Sequence, residues 1–169
     1  IKRCVAGPGD SLRIIDKQIY INGKPQENPL HLQYFYNIQV PQGVSLSKQK
    51  LDSWGIDFGD SPDRGPLFRN GVARLFLDSE QVQKLKTLSP DILIAPHAPT
   101  PNPSGIFPFD PAINSTWTVD NYGPIWIPEK GKTTPLNVSN LAFYRRIISV
   151  YENNTLEVKG SDIFINGTK

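Results

Sequence analysis

The chain has no methionine, a single cysteine, two histidines and no long hydrophobic run. One cysteine excludes an internal disulfide framework. No stretch approaches the roughly 18 apolar residues of a membrane-spanning helix, and the first residues lack the pattern of a secretory leader. Charge of one sign is also missing: 18 Lys and Arg stand against 16 Asp and Glu, interspersed. That balance leaves no nucleic-acid footprint and no basic face for anionic lipid. His31 and His97 lie near prolines in polar connections without the partner spacing of a metal site or triad, and read as surface or turn residues. Asp57, Asp60 and Asp63 do not meet calcium-loop spacing and read as a solvated acidic loop. No metal and no cofactor is expected. The missing methionine and a start at Ile1, within an apolar run, predict an excised piece of something longer.

What is present is concentrated in the first ten residues, Ile1-Lys2-Arg3-Cys4-Val5-Ala6-Gly7-Pro8-Gly9-Asp10. The run from Ile1 to Ala6 is short, apolar and bounded by a turn signal, which predicts a buried strand. Pro8 has no N–H to donate, and the glycines permit positive φ, so the strand stops there. A lysine on a buried strand is costly to keep charged, and desolvation lowers its pKa. Lys2 is therefore a candidate general base. Cys4, among apolar neighbours, is expected to be a small buried hydrophobe.

Beyond the turn, residues 11 to 24 read as a β-hairpin around Asp16-Lys17, with Asn22-Gly23 as a second turn. Strands are expected at 32–40, 72–77, 91–95 and 125–127. Helices are expected at 45–54, with a serine cap, and from Asp78 or Ser79 to Leu88, where Val82, Leu85 and Leu88 share a face. Residues 96 to 124 contain seven prolines and predict an irregular loop. Within it Asn114-Ser115-Thr116 is formally a glycosylation acceptor, as are three later Asn-x-Ser/Thr triplets. Leu141 and Phe143 fall in a short helical or turn segment. Arg145 to Tyr151 is β-branched and reads as a strand, and Leu156 to Gly167 as a final hairpin.

That final segment repeats the first. Leu12-Arg13-Ile14 aligns with Leu156-Glu157-Val158, and Ile19-Tyr20-Ile21-Asn22-Gly23 with Ile163-Phe164-Ile165-Asn166-Gly167, at one constant offset. With one extra residue in the turn, Lys2-Arg3-Cys4-Val5 falls on Arg145-Arg146-Ile147-Ile148. A strand-and-hairpin unit used twice, side by side in one sheet, is the expectation. Arg145 stands where Lys2 stands and stays protonated, so the second copy is structural.

The opening Ile-Lys-Arg-Cys-Val-Ala-Gly-Pro-Gly-Asp resembles the lysine box of bacterial type I signal peptidases: apolar-Lys-Arg-apolar-apolar-x-x-Pro-Gly-Asp. The resemblance implies that Lys2 is the general base of a Ser-Lys dyad and that Ile1 lines the pocket for small signal-peptide side chains. Arg3, Pro8, Gly9 and Asp10 then belong to the family motif. Asp120 to Pro128 and the following Tyr-Arg-Arg segment resemble the long insertion of Bacteroidetes-type enzymes. The Ser-Met-x-Pro and Gly-Asp-Asn-Arg boxes do not occur here, so the piece is expected to run from the lysine box to just before the latter. Alone it is expected to be soluble and inactive. The parent would cleave signal peptides of exported preproteins at the periplasmic side of the inner membrane, through an anchor absent here. Ser11 reads as a loop or strand-edge serine.

The fold expected is mainly β with an α/β insertion, an α+β chain built on an antiparallel sheet. Its divisions are 1–30, the lysine-box strand and hairpin; 31–124, insertion and proline-rich loop; and 125–169, return strands and second hairpin. The competing reading is a non-catalytic extracytoplasmic β-domain that binds a protein or glycan through Trp117, Trp126 and the proline-rich loop.

Overall fold

The computed structural model describes residues 4–57, 68 and 71–169. In chain order the elements are β1 (Ser11–Ile15), β2 (Gln18–Ile21), β3 (Lys24–Pro25), β4 (Tyr34–Gln39) and α1 (Lys48–Ser53). There follow β5 (Val72–Leu77), α2 (Ser79–Lys86), β6 (Leu93–Pro96), α3 (Pro111–Asn114) and β7 (Tyr122–Trp126). The last are α4 (Leu141–Arg146), a π-helical turn (Ile147–Tyr151), β8 (Leu156–Lys159) and β9 (Asp162–Ile165). The described sheets pair antiparallel, and the fold is mainly β with a few helices. No helix among the described residues is long and apolar enough to cross a membrane.

Two compact units emerge, one of Ile1–Gln26 with Pro99–Lys169 and one of Glu27–Ala98. The sequence grouped residues 31–124 as one insertion, whereas the loop from Pro99 onward falls in the first unit. One reason is its end: Asp120 and Asn121 bond the β1–β2 turn.

The Glu27–Ala98 unit is a three-stranded sheet, ordered β5-β4-β6, with helices on one face. Burial alternates along β5: Ala73, Leu75 and Leu77 are buried, while Arg74 and Phe76 are exposed. The buried set meets Ile38 of β4, Leu51 of α1 and Leu85 of α2 in one core. Asp78 and Gln81 form a capping box at the start of α2, satisfying helix N–H groups. Gln81 Nε2 also donates to the carbonyls of Trp54 and Gly55 (3.2 and 2.9 Å), fastening α2 to the end of α1.

In the other unit a four-stranded sheet runs β3-β2-β1-β7. An aromatic cluster accompanies it, with Trp117 on Tyr122 (5.0 Å between centroids) and Phe143 tilted against Phe107 and Trp117. Asn114, with no exposed surface, donates from Nδ2 to the carbonyls of Pro103 (3.1 Å) and Ile106 (2.6 Å) and so closes the proline-rich loop.

Three expectations need correction. Arg145 to Tyr151 is helical and not a strand. Leu141 and Ile148, two turns apart on one face, are both buried, and that burial overrides the β-branched propensity. Ser149 Oγ donates to the Arg145 carbonyl at 2.7 Å, and Glu152 N–H reaches back to Ile147, as a π turn requires. Second, the two hairpins do not share a sheet: β8 and β9 form a two-stranded sheet of their own. In the first hairpin β1 is already paired with β7 and β2 with β3, so neither strand has an edge to offer. The hairpins themselves do repeat, since Leu12↔Ile21 and Ile14↔Ile19 recur as Leu156↔Ile165 and Val158↔Ile163. Third, the described part of the opening run, Cys4 to Ala6, is not a strand. Cys4 is exposed, and its thiol donates to the Ala6 carbonyl at 3.2 Å. A strand needs a ladder partner, and none of the named strands pairs with this stretch.

Candidate active-site region

Of the residues expected to form the site, Ile1, Lys2 and Arg3 lie outside the described residues, whereas Pro8, Gly9 and Asp10 are described. The turn that follows the lysine box is closed by its own aspartate. Asp10 Oδ2 accepts the Gly7 N–H at 2.8 Å, and the Asp10 N–H donates to the Gly7 carbonyl at 3.1 Å. Its second oxygen, Oδ1, accepts Asn22 Nδ2 at 2.7 Å. Asn22 in turn accepts the Ser11 N–H on Oδ1 at 2.9 Å and donates its own N–H to the Ser11 carbonyl at 2.9 Å. Bonds from an ionised acceptor are stronger than neutral ones, so Asp10 ties the turn firmly to the open end of the β1–β2 hairpin.

Gly9 has φ +86°, a conformation that carries a steric cost for any residue with a Cβ. Its N–H donates to the Ile127 carbonyl, and the Ile127 N–H donates to the Asp10 carbonyl, each at 2.9 Å. The segment just past β7 thus holds the turn. At the far end of β1, the Asp16 N–H donates to Asn121 Oδ1 at 3.0 Å and the Lys17 N–H to the Asp120 carbonyl at 2.9 Å. Lys17 Nζ also pairs with the Asp120 carboxylate at 3.4 Å. Residues flanking β7 therefore clamp β1 at both ends, and the chain leaving the box enters the sheet at a fixed point.

Close approach explains Gly123. It lies at φ +84°, where a Cβ would stand 2.8 Å from the Leu12 carbonyl oxygen. The register between β1 and β7 shifts between Leu12 and Ile14, beside this contact. Tyr122 next to it is half-buried, and burial pushes its phenol above the ordinary value.

The remaining candidates have structural employment. Ser11 opens β1, the second of the two placements expected for it, loop or strand edge. His97 continues β6, donating its N–H to the Phe35 carbonyl at 2.8 Å while its ring meets Phe35 edge-on. His31 Nδ1 lies 3.1 Å from Asp78 Oδ2, and Asp78 Oδ1 caps α2 by accepting the Gln81 N–H at 2.8 Å. That N–H is the main cause holding the Asp78 carboxyl below its usual value, with His31 adding to it and burial opposing. Among the described residues no group of three or more His, Cys, Asp and Glu could hold a metal ion, and Asp60 and Asp63 lie outside them. Trp117 is engaged in the aromatic cluster, whereas Trp126 is 37 % exposed and lines an open cleft.

Sequence reasoning missed Asn22, Asp120 and Asn121 as the residues that fix the box turn and the hairpin. A signal was available: the Asp10-to-Asn22 interval recurs as Asn154 to Asn166 within the repeat, which marks both as bonded pairs and not merely turn formers.

Residues 1–60 match the family described as signal peptidase, peptidase S26. No curated protein and no solved structure matches the chain.

Proposed function

We propose, taking residues 1–60 as a signal peptidase segment, that the chain is the extracytoplasmic portion of an enzyme that cleaves signal peptides from exported preproteins by a Ser-Lys dyad, with Lys2 as general base. The observation that carries this reading is the family match over the segment that contains the lysine box. The anchored Gly-Pro-Gly-Asp turn supports it, because a general base must be held within hydrogen-bond reach of the proton it removes. Neutral Lys2 Nζ takes the proton from a serine hydroxyl as that oxygen attacks the carbonyl carbon after a small-x-small motif. The ammonium then returns the proton to the leaving amine, and water, activated by the same amine, hydrolyses the acyl-enzyme. The serine is not supplied by a Ser-Met-x-Pro box within these residues, which contain no methionine. In this reading Ile1 lines the pocket for small side chains, and the work is done at the periplasmic face of the inner membrane.

The test is signal-peptide cleavage by the full gene product and by its Lys2→Ala variant, with thermal melting as the folding control. Loss of cleavage by roughly 10³-fold or more in a folded variant is expected, as for removal of one member of a catalytic unit. Undiminished cleavage would sink the dyad.

A further inference from the structure

Asn-Gly occurs three times, at Asn22, Asn70 and Asn166. Asn70 lies outside the described residues, and the other two pairs occupy equivalent places in the repeated hairpin. Asn22-Gly23 turns β2 into β3 with φ +51° and +77°, and Asn166-Gly167 makes the same turn after β9 with φ +52° and +80°. Positive φ at both central residues is what a tight hairpin turn of this kind requires. Both pairs are exposed, and nothing stands within 4 Å of where a Cβ on either glycine would lie.

Such a pair carries a reaction of its own. Glycine has no Cβ to shield its nitrogen, and that nitrogen attacks the side-chain amide carbon of the asparagine before it. At Asn22 the Gly23 N–Cγ bond forms and the Cγ–Nδ2 bond breaks. The proton lost by the Gly23 nitrogen departs with Nδ2 as ammonia. Water then opens the five-membered imide at either carbonyl and leaves aspartate or isoaspartate. Solvent is the only co-reactant, and the net change replaces an amide donor by a carboxylate. What that carboxylate meets differs between the copies. Asn22 Nδ2 donates at 2.7 Å to Asp10 Oδ1, and the other Asp10 oxygen closes the lysine-box turn on the Gly7 N–H. Conversion sets two carboxylates against each other where a charge-assisted bond stood. Asn166 Nδ2 faces the neutral Asn154 Oδ1 at 2.7 Å, and the Asn154 amide can reverse to donate to a new carboxylate.

We propose that Asn22-Gly23 is a self-modifying latch of the lysine-box turn: conversion of Asn22 turns its bond to Asp10 into a repulsion and frees the turn, while the equivalent change at Asn166 does not reach it. The latch is also the slower of the two to convert. The Asn22 amide must leave an ionised acceptor to meet the Gly23 nitrogen, within a four-stranded sheet. The Asn166 amide leaves a neutral acceptor, in a two-stranded sheet that opens more readily. The inference does not rest on the function proposed above.

The experiment ages the full chain in mildly alkaline buffer, maps aspartyl and isoaspartyl products by peptide mass spectrometry, and reads amide hydrogen exchange at Gly7 and Asp10. In the folded chain Asn166 should convert first and Asn22 after it, whereas in urea the two should convert at like rates. Asn22→Asp should speed exchange at Gly7 and Asp10 about tenfold or more, the change that loss of a bond to a charged group implies. Asn166→Asp should leave both amides as they were. Adding Asp10→Asn to Asn22→Asp should restore protection, because an amide at position 10 accepts the Gly7 N–H and donates to the carboxylate at position 22. If Asn22→Asp alone does not fold, recovery of folding in the double variant supports the latch, and its failure overturns it. Conversion of Asn22 ahead of Asn166, or no conversion of Asn22 once Asn166 is fully converted, would overturn the inference. So would unchanged exchange in Asn22→Asp, or a double variant no better protected than that single one.

Discussion

Asn22 and Asn166 hold the same backbone conformation, φ +51° and +52°, and each closes its hairpin by accepting a main-chain N–H at 2.9 Å, from Ser11 and Thr155 respectively. Each also donates from Nδ2 at 2.7 Å to the residue before that N–H, Asp10 in one copy and Asn154 in the other. The repeat is thus atomic at these positions, and it differs in the charge of the acceptor. Asn22→Ala should destabilise by about 2 kcal/mol and Asn166→Ala by about 1 kcal/mol, given the greater worth of bonds to ionised groups. Urea unfolding of the two variants compares them directly; equal losses would remove the role given to Asp10.

Gly123→Ala should be among the more damaging single-methyl additions in the chain. The new Cβ meets the Leu12 carbonyl at 2.8 Å, and the residue must hold φ +84°. A cost of about 2–3 kcal/mol follows from strain and displaced backbone. Gly131→Ala is the control, with a similar φ of +83° and open space around its Cβ. Its loss should be near 1 kcal/mol, and melting temperatures should rank the pair.

Much of this was legible and some was not, for identifiable reasons. The span Val72 to Leu77 alternates cleanly, and a cap at Asp78 or Ser79 precedes Val82, Leu85 and Leu88 on one face, so β5 and α2 emerged as expected. Arg145 to Tyr151 misled because β-branched residues announce strands, while burial of Leu141 and Ile148 on one helical face outweighs that propensity. The likeness of residues 1–60 to the signal peptidase family was readable from the opening Lys-Arg and Pro-Gly-Asp pattern. The clamp that steadies the turn was not, because Asp120, Asn121 and Ile127 lie more than a hundred residues away, and nothing in the Asp120–Pro128 pattern ties it to the opening turn.

Asp78 sets a pH dependence for the Glu27–Ala98 unit. Its folded-state pKa is lowered, chiefly by the Gln81 N–H, so the cap contributes stability above the unfolded value of 3.8. That contribution is lost as pH falls through the lower folded value. Asp78→Asn should flatten the acid limb of the stability curve, measured by urea unfolding from pH 6 down to about pH 3. His31→Gln should flatten it less, since the principal bond remains. A steeper acid limb in Asp78→Asn would contradict the assignment.

Lys2→Arg and Arg145→Lys should separate the two copies functionally. Arginine keeps the charge but cannot accept a proton, so the first change should abolish cleavage by the full gene product without unfolding it. Arg145 is exposed at the end of α4, in a segment whose fold differs from that of the hairpins, and its replacement should leave the rate nearly unchanged. Cleavage rates across pH, with melting curves beside them, decide both.

The burial of Asn114 has a consequence for how the chain can be produced. Asn114-Ser115-Thr116 is a recognisable acceptor for an oligosaccharyltransferase, and Nδ2 is the atom to which the sugar would be joined. In the folded chain that nitrogen is spent on the Pro103 and Ile106 carbonyls. In a eukaryotic secretory host the transferase and the closing loop compete for a single atom. A chain modified first could no longer close the loop, and a chain folded first could no longer be modified. Occupancy at Asn114 is therefore a clock: the unmodified fraction records how quickly this loop shuts behind translocation.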